Sequence, residues 1–106
     1  MLYNPHVNNY EIKLRELLLQ IPKGKVTTYG ELARAMGTRG YRFVGQLLHN
    51  NPYPDKYPCY KVVKSDGTLG GFALGCKDKI RRLKADGIEV KNGRVVCFEK
   101  VLHKFR

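Results

Sequence analysis

The stretch "VTTYGELARAMGTRGYRFVGQLLHN", residues 26–50, decides the fold. Its opening is extended in character, because Val26, Thr27 and Thr28 are β-branched. Thr28 then stands three residues ahead of Glu31. That is the spacing of a capping box, in which a hydroxyl and a carboxylate satisfy each other's free amides at a helix start. A helix is predicted over roughly Tyr29 to Met36, closed by Gly37 in the left-handed C-terminal position. After the short link "TRG" a second helix follows, roughly Tyr41 to Asn50, carrying Phe43, Val44, Leu47 and Leu48 toward a core. Two short helices joined by a tight glycine-containing link make the skeleton of a helix-turn-helix. The second is then the recognition helix, with "TRGYR" at the end where such helices usually meet nucleic acid.

Working outward, Ile12, Leu14, Leu17, Leu18 and Ile21 recur at helical spacing, and Pro22 supplies a stop. "PKGK" reads as a turn before the extended "VTTY". Beyond the recognition helix comes a proline-rich loop. "CYKVV" and "LGGF" then flank "KSDGT", whose Asp-Gly suggests a hairpin. Residues 76–86 form a basic helix with Ile80 and Leu83 inward, closed by Gly87. A second hairpin has "IEV" and "RVV" around "KNG", and "CFEKVLHKFR" either extends that strand or forms a basic tail. The expected architecture is one compact domain over residues 1–106, mainly α with short strands: a winged-helix-like helix-turn-helix DNA-binding domain.

The whole chain agrees with this. Its 106 residues suffice for one core, and 42% hydrophobic against 27% charged residues argues against disorder. Twenty Lys and Arg against nine Asp and Glu leave a formal charge of +11, which favours a polyanionic partner. Nucleic acid is the simplest such partner, although ribosome-associated and membrane-surface proteins are also this basic. Cys59, Cys76 and Cys97 are odd in number and widely spaced, which argues against a disulfide framework and a close-spaced zinc site. Neither a metal nor a cofactor is expected. Free thiols point to a reducing, intracellular compartment: the cytoplasm, or the nucleus in a eukaryote. "MLYNPHVNNY" lacks a signal-peptide pattern, and no apolar run approaches the ~20 residues of a membrane span.

Four ordered segments, "IPKGKVTTYGELARAMG", "RFVGQLLHNNP", "PCYKVV" and "DGTLGGFALG…K", resemble the active-site domain of the O6-alkylguanine-DNA alkyltransferases from about Tyr10 to Val96. The N-terminal domain preceding this unit in many members is missing, as it is in short stand-alone members and in the related alkyltransferase-like proteins. In the latter the nucleophilic cysteine is replaced, whereas Cys59 is present in this chain. The resemblance implies a monomer that docks its helix-turn-helix in the minor groove of double-stranded DNA. There it flips out an alkylated guanine and moves the O6-alkyl group irreversibly onto Cys59.

Residue roles follow from the same resemblance. Cys59 is the acceptor, and its thiolate is the competent nucleophile. Tyr29 aids nucleotide rotation and donates to the departing guanine, where a hydroxyl stabilises developing charge. Arg42 fills the gap left by the flipped base, offsetting part of the few kcal/mol of lost stacking. Asn51 braces the turn between the recognition helix and the active-site strand, and Pro58 stiffens that approach. Val62 offers a carbonyl to the guanine amine. Phe72 stands where tyrosine is common and covers the alkyl pocket, with Gly70, Gly71 and Ala73 keeping that wall thin. Lys79 matches a lysine of the family. Thr28, Gly40, Tyr41, Gly45 and Lys64 complete the surface expected to meet DNA, where small residues permit close approach and Tyr41 narrows it.

Two positions depart from the family. Tyr60 stands where histidine usually relays the cysteine proton toward a glutamate, and Asp86 stands in the glutamate's place. Tyrosine is a poor base at neutral pH. A phenol reaches farther than an imidazole and aspartate is shorter than glutamate, so the expectation is a hydrogen-bonded Tyr60–Asp86 pair orienting Cys59. The retained cysteine favours a single-turnover alkyltransferase. Tyr60 and Phe72 keep open an alkyltransferase-like protein that binds the lesion without transferring it. A plain helix-turn-helix regulator leaves "PCYKVV" without a purpose.

Overall fold

The computed structural model describes residues 9–38, 40–72 and 74–105. Its organisation turns on two valines. Val62 and Val63 form β2, which pairs in parallel with β1 (Thr27–Thr28), Thr27 opposite Val62 and Thr28 opposite Val63. Successive strand residues face opposite ways. Val62 therefore enters one apolar cluster and Val63 the other. The first cluster is helical: Leu14, Leu17 and Leu18 of α1 (Asn9–Gln20) meet Leu32 and Met36 of α2 (Tyr29–Met36) and Val44 and Leu48 of α3 (Tyr41–His49). The second gathers Val26, Val63 and Leu69 with Leu83 of α4 (Cys76–Ala85), Ile88 and Val95.

The helix-turn-helix forms for the local reasons legible in the chain. The Thr28 hydroxyl accepts from the Glu31 amide at 3.0 Å, and Gly37 ends α2 at φ 69°. Only half of the capping box exists, because the Glu31 carboxylate faces Arg34 and the Phe105 amide instead of reaching back to Thr28. Of the expected α1 stripe, Ile12 is exposed. The second hairpin is present as β3 (Val90–Lys91) and β4 (Arg94–Val95), with Asn92 and Gly93 both at positive φ, the turn that suits hairpin twist.

Three expectations are corrected. "CYKVV" is not one strand: Cys59–Lys61 is a single 3₁₀ turn and only Val62–Val63 is extended. "LGGF" does not pair with it either. The "KSDGT" turn closes through Lys64 N–H to the Thr68 carbonyl (2.9 Å), but β2 takes β1 as its partner. The segment 98–105 is neither a strand extension nor a loose tail. After the short helix α5 (Phe98–Val101), Leu102 bridges Val26, the His103 amide donates to the Val26 carbonyl, and Phe105 is buried in the first cluster.

Candidate active site

A cavity of about 720 Å³ opens between α3 and the loop after β2. Tyr29 and Phe72 form its aromatic wall, Arg42 and Lys64 bring positive charge to it, and Cys59 lies on it with only 6% of its surface exposed. The cysteine begins the 3₁₀ turn. Its loop is held by Asn51, whose carboxamide donates to the Tyr57 carbonyl (3.1 Å) and accepts from the Tyr53 amide (3.0 Å). Burial raises the Cys59 thiol above its ordinary value. A hydrogen bond from Asn51 opposes this, as do the charges of Lys79 and Arg82.

Tyr29 begins α2 and donates to the Gly71 carbonyl at 3.4 Å. Burial raises its phenol further, and the proximity of Cys59 adds to this, against a lowering by the Gly71 bond. The ring lies so close to the neighbouring loop that a Cβ on Gly70, at φ +70°, would sit 3.0 Å from the hydroxyl. Only glycine suits both the conformation and the space.

Lys79 is the departure from surface logic. It lies on a basic helix, yet its exposure is 0%. Its ammonium donates to the Val62 carbonyl at 2.7 Å and the Gly71 carbonyl at 3.0 Å. Burial lowers its pKa to about 8, with Cys59 and Cys76 pulling the other way. The Gly71 carbonyl thus joins Lys79 to Tyr29, while both groups feel Cys59.

The Tyr60–Asp86 pair is not formed. Asp86 accepts from the Gly24 amide (2.9 Å) and pairs with Lys61 (2.7 Å), whose ammonium also reaches the Pro22 carbonyl. The cause is the phase of the 3₁₀ turn. At three residues per turn, Cys59, Tyr60 and Lys61 leave in three directions. Cys59 faces the first cluster and the cavity, Tyr60 packs on the second cluster, and Lys61 meets Asp86. Burial raises the Tyr60 phenol, with the Asp86 charge adding to it and Arg82 opposing.

Other expected residues divide. Tyr41, Arg42, Gly45, Lys64 and Phe72 do border the cavity. Thr28 does not line the cavity: it is 5% exposed and its hydroxyl caps α2. Pro58, Val62 and Lys79 do not line the cavity: Pro58 precedes the 3₁₀ turn, and the Val62 carbonyl is engaged by the buried Lys79. Gly40 precedes α3 with extended backbone, and Ala73 lies outside the described residues. His49 borders the cavity too and was missed, although its spacing from Tyr41 and Gly45 would have revealed it. Arg82 was missed as well; it binds Asp55 and Asp78 and lies 5.7 Å from the Phe72 ring centre. Among the described residues no three His, Cys, Asp or Glu side chains gather as a metal set, and no helix is long and apolar enough to cross a membrane.

Residues 9–88 match the family model of the DNA-binding domain of 6-O-methylguanine DNA methyltransferase. The chain belongs to this family. Among relatives, a bifunctional methyltransferase/endonuclease of Picrophilus torridus is 54% identical over 83 residues, 77% of this chain but 28% of that protein. The chain therefore spans little more than a quarter of that relative. A DNA base-flipping protein of Vibrio parahaemolyticus is 38% identical over 95 residues, 89% of this chain and 95% of that one. Among solved structures, S. pombe Atl1 in complex with damaged DNA containing O6-carboxymethylguanine superposes with a TM-score of 0.81 at 26% identity, covering 94% of this chain and 99% of that one. This methyltransferase-family domain is thus similar both to a bifunctional methyltransferase/endonuclease and to a DNA base-flipping protein.

Proposed function

We propose that this chain repairs DNA by taking the O6-alkyl group of a flipped guanine onto Cys59, once per molecule, as a monomeric single domain. The observation that carries this reading is Cys59 itself: a free thiol on the wall of a 720 Å³ cavity, braced by Asn51 and close to the buried Lys79. The +11 charge and the Arg42 and Lys64 side chains at the cavity suit a duplex DNA partner. Arg42 fills the vacated place in the stack. Exposed Cys76 and Cys97 thiols fit a reducing compartment such as the cytoplasm or nucleus.

In the proposed step the Cys59 thiol first loses its proton to water in the open cavity. Asn51, Lys79 and Arg82 favour the resulting anion. Sulfur then attacks the alkyl carbon, a C–S bond forms, and the C–O6 bond breaks. Tyr29 gives its proton to the departing guanine, and Lys79, linked to it through the Gly71 carbonyl, offsets the charge left behind. Negative charge moves from sulfur to phenolate while the ammonium stays fixed near both, and the phenolate then takes back from water the proton that the thiol released. Phe72 covers the alkyl group, and no cofactor enters the balance.

One observation favours a second reading, recognition of alkylguanine without transfer. Burial raises the Cys59 thiol, and neither Tyr60 nor Asp86 is placed as its base. The two readings separate on one measurement. The protein is incubated with a duplex carrying one O6-methylguanine and its intact mass is taken. A gain of one methyl group, mapped to Cys59, supports transfer; tight binding with unchanged mass supports recognition alone.

A further inference from the structure

Tyr41 opens α3 and is 61% exposed, more than any other large apolar side chain among the described residues. It has no ring partner there; the aromatic contacts join Tyr10 to Phe43, Tyr53 to Tyr57 and His103 to Phe105. Residues four apart share a helix face. Tyr41, Gly45 and His49 accordingly make one stripe, and all three border the cavity that holds Cys59. At 1.5 Å per residue the ends of this stripe are about 12 Å apart. Between them a Cβ on Gly45 would meet nothing within 4 Å. The rim of the cavity is therefore a notch, with a phenol at one end, an imidazole at the other and a glycine floor.

A nucleotide that reaches Cys59 has to pass this notch with its base faces stripped of their neighbours. An exposed aromatic ring offers such a face a stacking surface regardless of base identity. Arg42 leaves the helix about 100° farther round, so filling the stack and covering the extruded nucleotide are separate contacts. We propose that the Tyr41 ring is a stacking platform for the flipped nucleotide, raising affinity for DNA with an extruded base over intact duplex. This rests on the base-flipping function proposed above.

The test measures binding by fluorescence anisotropy on a C59S background, so that no transfer intervenes. Two duplexes differing only by one O6-methylguanine are compared for the parent, Tyr41→Phe and Tyr41→Ala. Tyr41→Ala is expected to lose roughly tenfold more affinity for the lesion duplex than for the undamaged one. Tyr41→Phe keeps both. Equal losses on both duplexes, or a Tyr41→Phe loss matching Tyr41→Ala, would overturn the proposal in favour of a backbone or hydroxyl contact. An unaltered Tyr41→Ala overturns it outright. If the parent itself fails to discriminate the duplexes, the function it rests on falls with it, whereas discrimination that survives Tyr41→Ala sinks this inference alone.

Discussion

Replacing Lys79 with methionine separates what the buried ammonium does for the fold from what it does for Cys59. Its pKa falls from 10.5 to about 8, a difference worth about 3 kcal/mol. The folded pKa is the lower one, so below pH ~8 the fold bears the full cost of a charged buried lysine. That cost is relieved as pH rises from about 8 toward 10.5. Methionine removes it, but it leaves the buried Val62 carbonyl without its donor and Gly71 with Tyr29 alone. An unsatisfied buried carbonyl costs about 1–3 kcal/mol. The two effects nearly cancel, so Lys79→Met at pH 7 should be as stable as the parent to within about 2 kcal/mol. The signature lies in the slope. Urea denaturation at pH 8 and 9 should show the parent gaining about 1 kcal/mol relative to the variant. The raised Cys59, Tyr29 and Tyr60 groups act oppositely, losing stability at higher pH, but both proteins carry them. Single-turnover transfer at pH 7 should drop roughly tenfold, as for a thiol raised by a further unit. Parallel pH slopes would refute the low-titrating lysine; an undiminished transfer rate would refute its service to Cys59.

Four other substitutions probe the remaining contacts. Asp86→Asn takes the counter-charge from the buried Lys61 ammonium, leaving it the Pro22 carbonyl, and should cost about 3 kcal/mol in chemical denaturation. Tyr60→Phe should leave the transfer rate unchanged, because the ring packs on the second cluster and its hydroxyl has no hydrogen-bond partner among the described residues; a slowed rate would return that hydroxyl to the mechanism. Gly70→Ala meets both positive φ and the Tyr29 ring, so about 1–2 kcal/mol of stability should go, with slower transfer as Tyr29 shifts. Phe105→Ala empties part of the first cluster, and thermal melting should report a loss of about 3–5 kcal/mol.

What could be read from the chain was mostly local. Thr28 and Gly37 mark the ends of α2 by their own chemistry, and the cavity-facing cysteine sits in a segment of specific pattern. What escaped depends on partners distant in sequence. Lys79 matches a lysine of the family, but nothing beside it on the basic helix signals its burial. Its burial follows from two carbonyls contributed by β2 and the loop after it. The parallel β1–β2 pair has no turn to announce it, so the Asp-Gly hairpin was the natural but incorrect expectation. The Tyr60 error was one of phase. A strand would alternate Cys59 and Tyr60 across a sheet, whereas a 3₁₀ turn sends Lys61, not Tyr60, to Asp86.

The strand-like seating of residues 102–105 bears on how the molecule reaches its native state. The Thr27 hydroxyl donates to the His103 carbonyl, 76 residues away, and Phe105 enters a cluster otherwise built from residues 14–62. Closing so long a loop is entropically slow compared with forming the helix pair. The helix-turn-helix can therefore assemble early while its core stays short of one aromatic side chain. Cooperative folding waits for the far end of the domain to return, and amides around Val26 should acquire their full protection from exchange only at that final step.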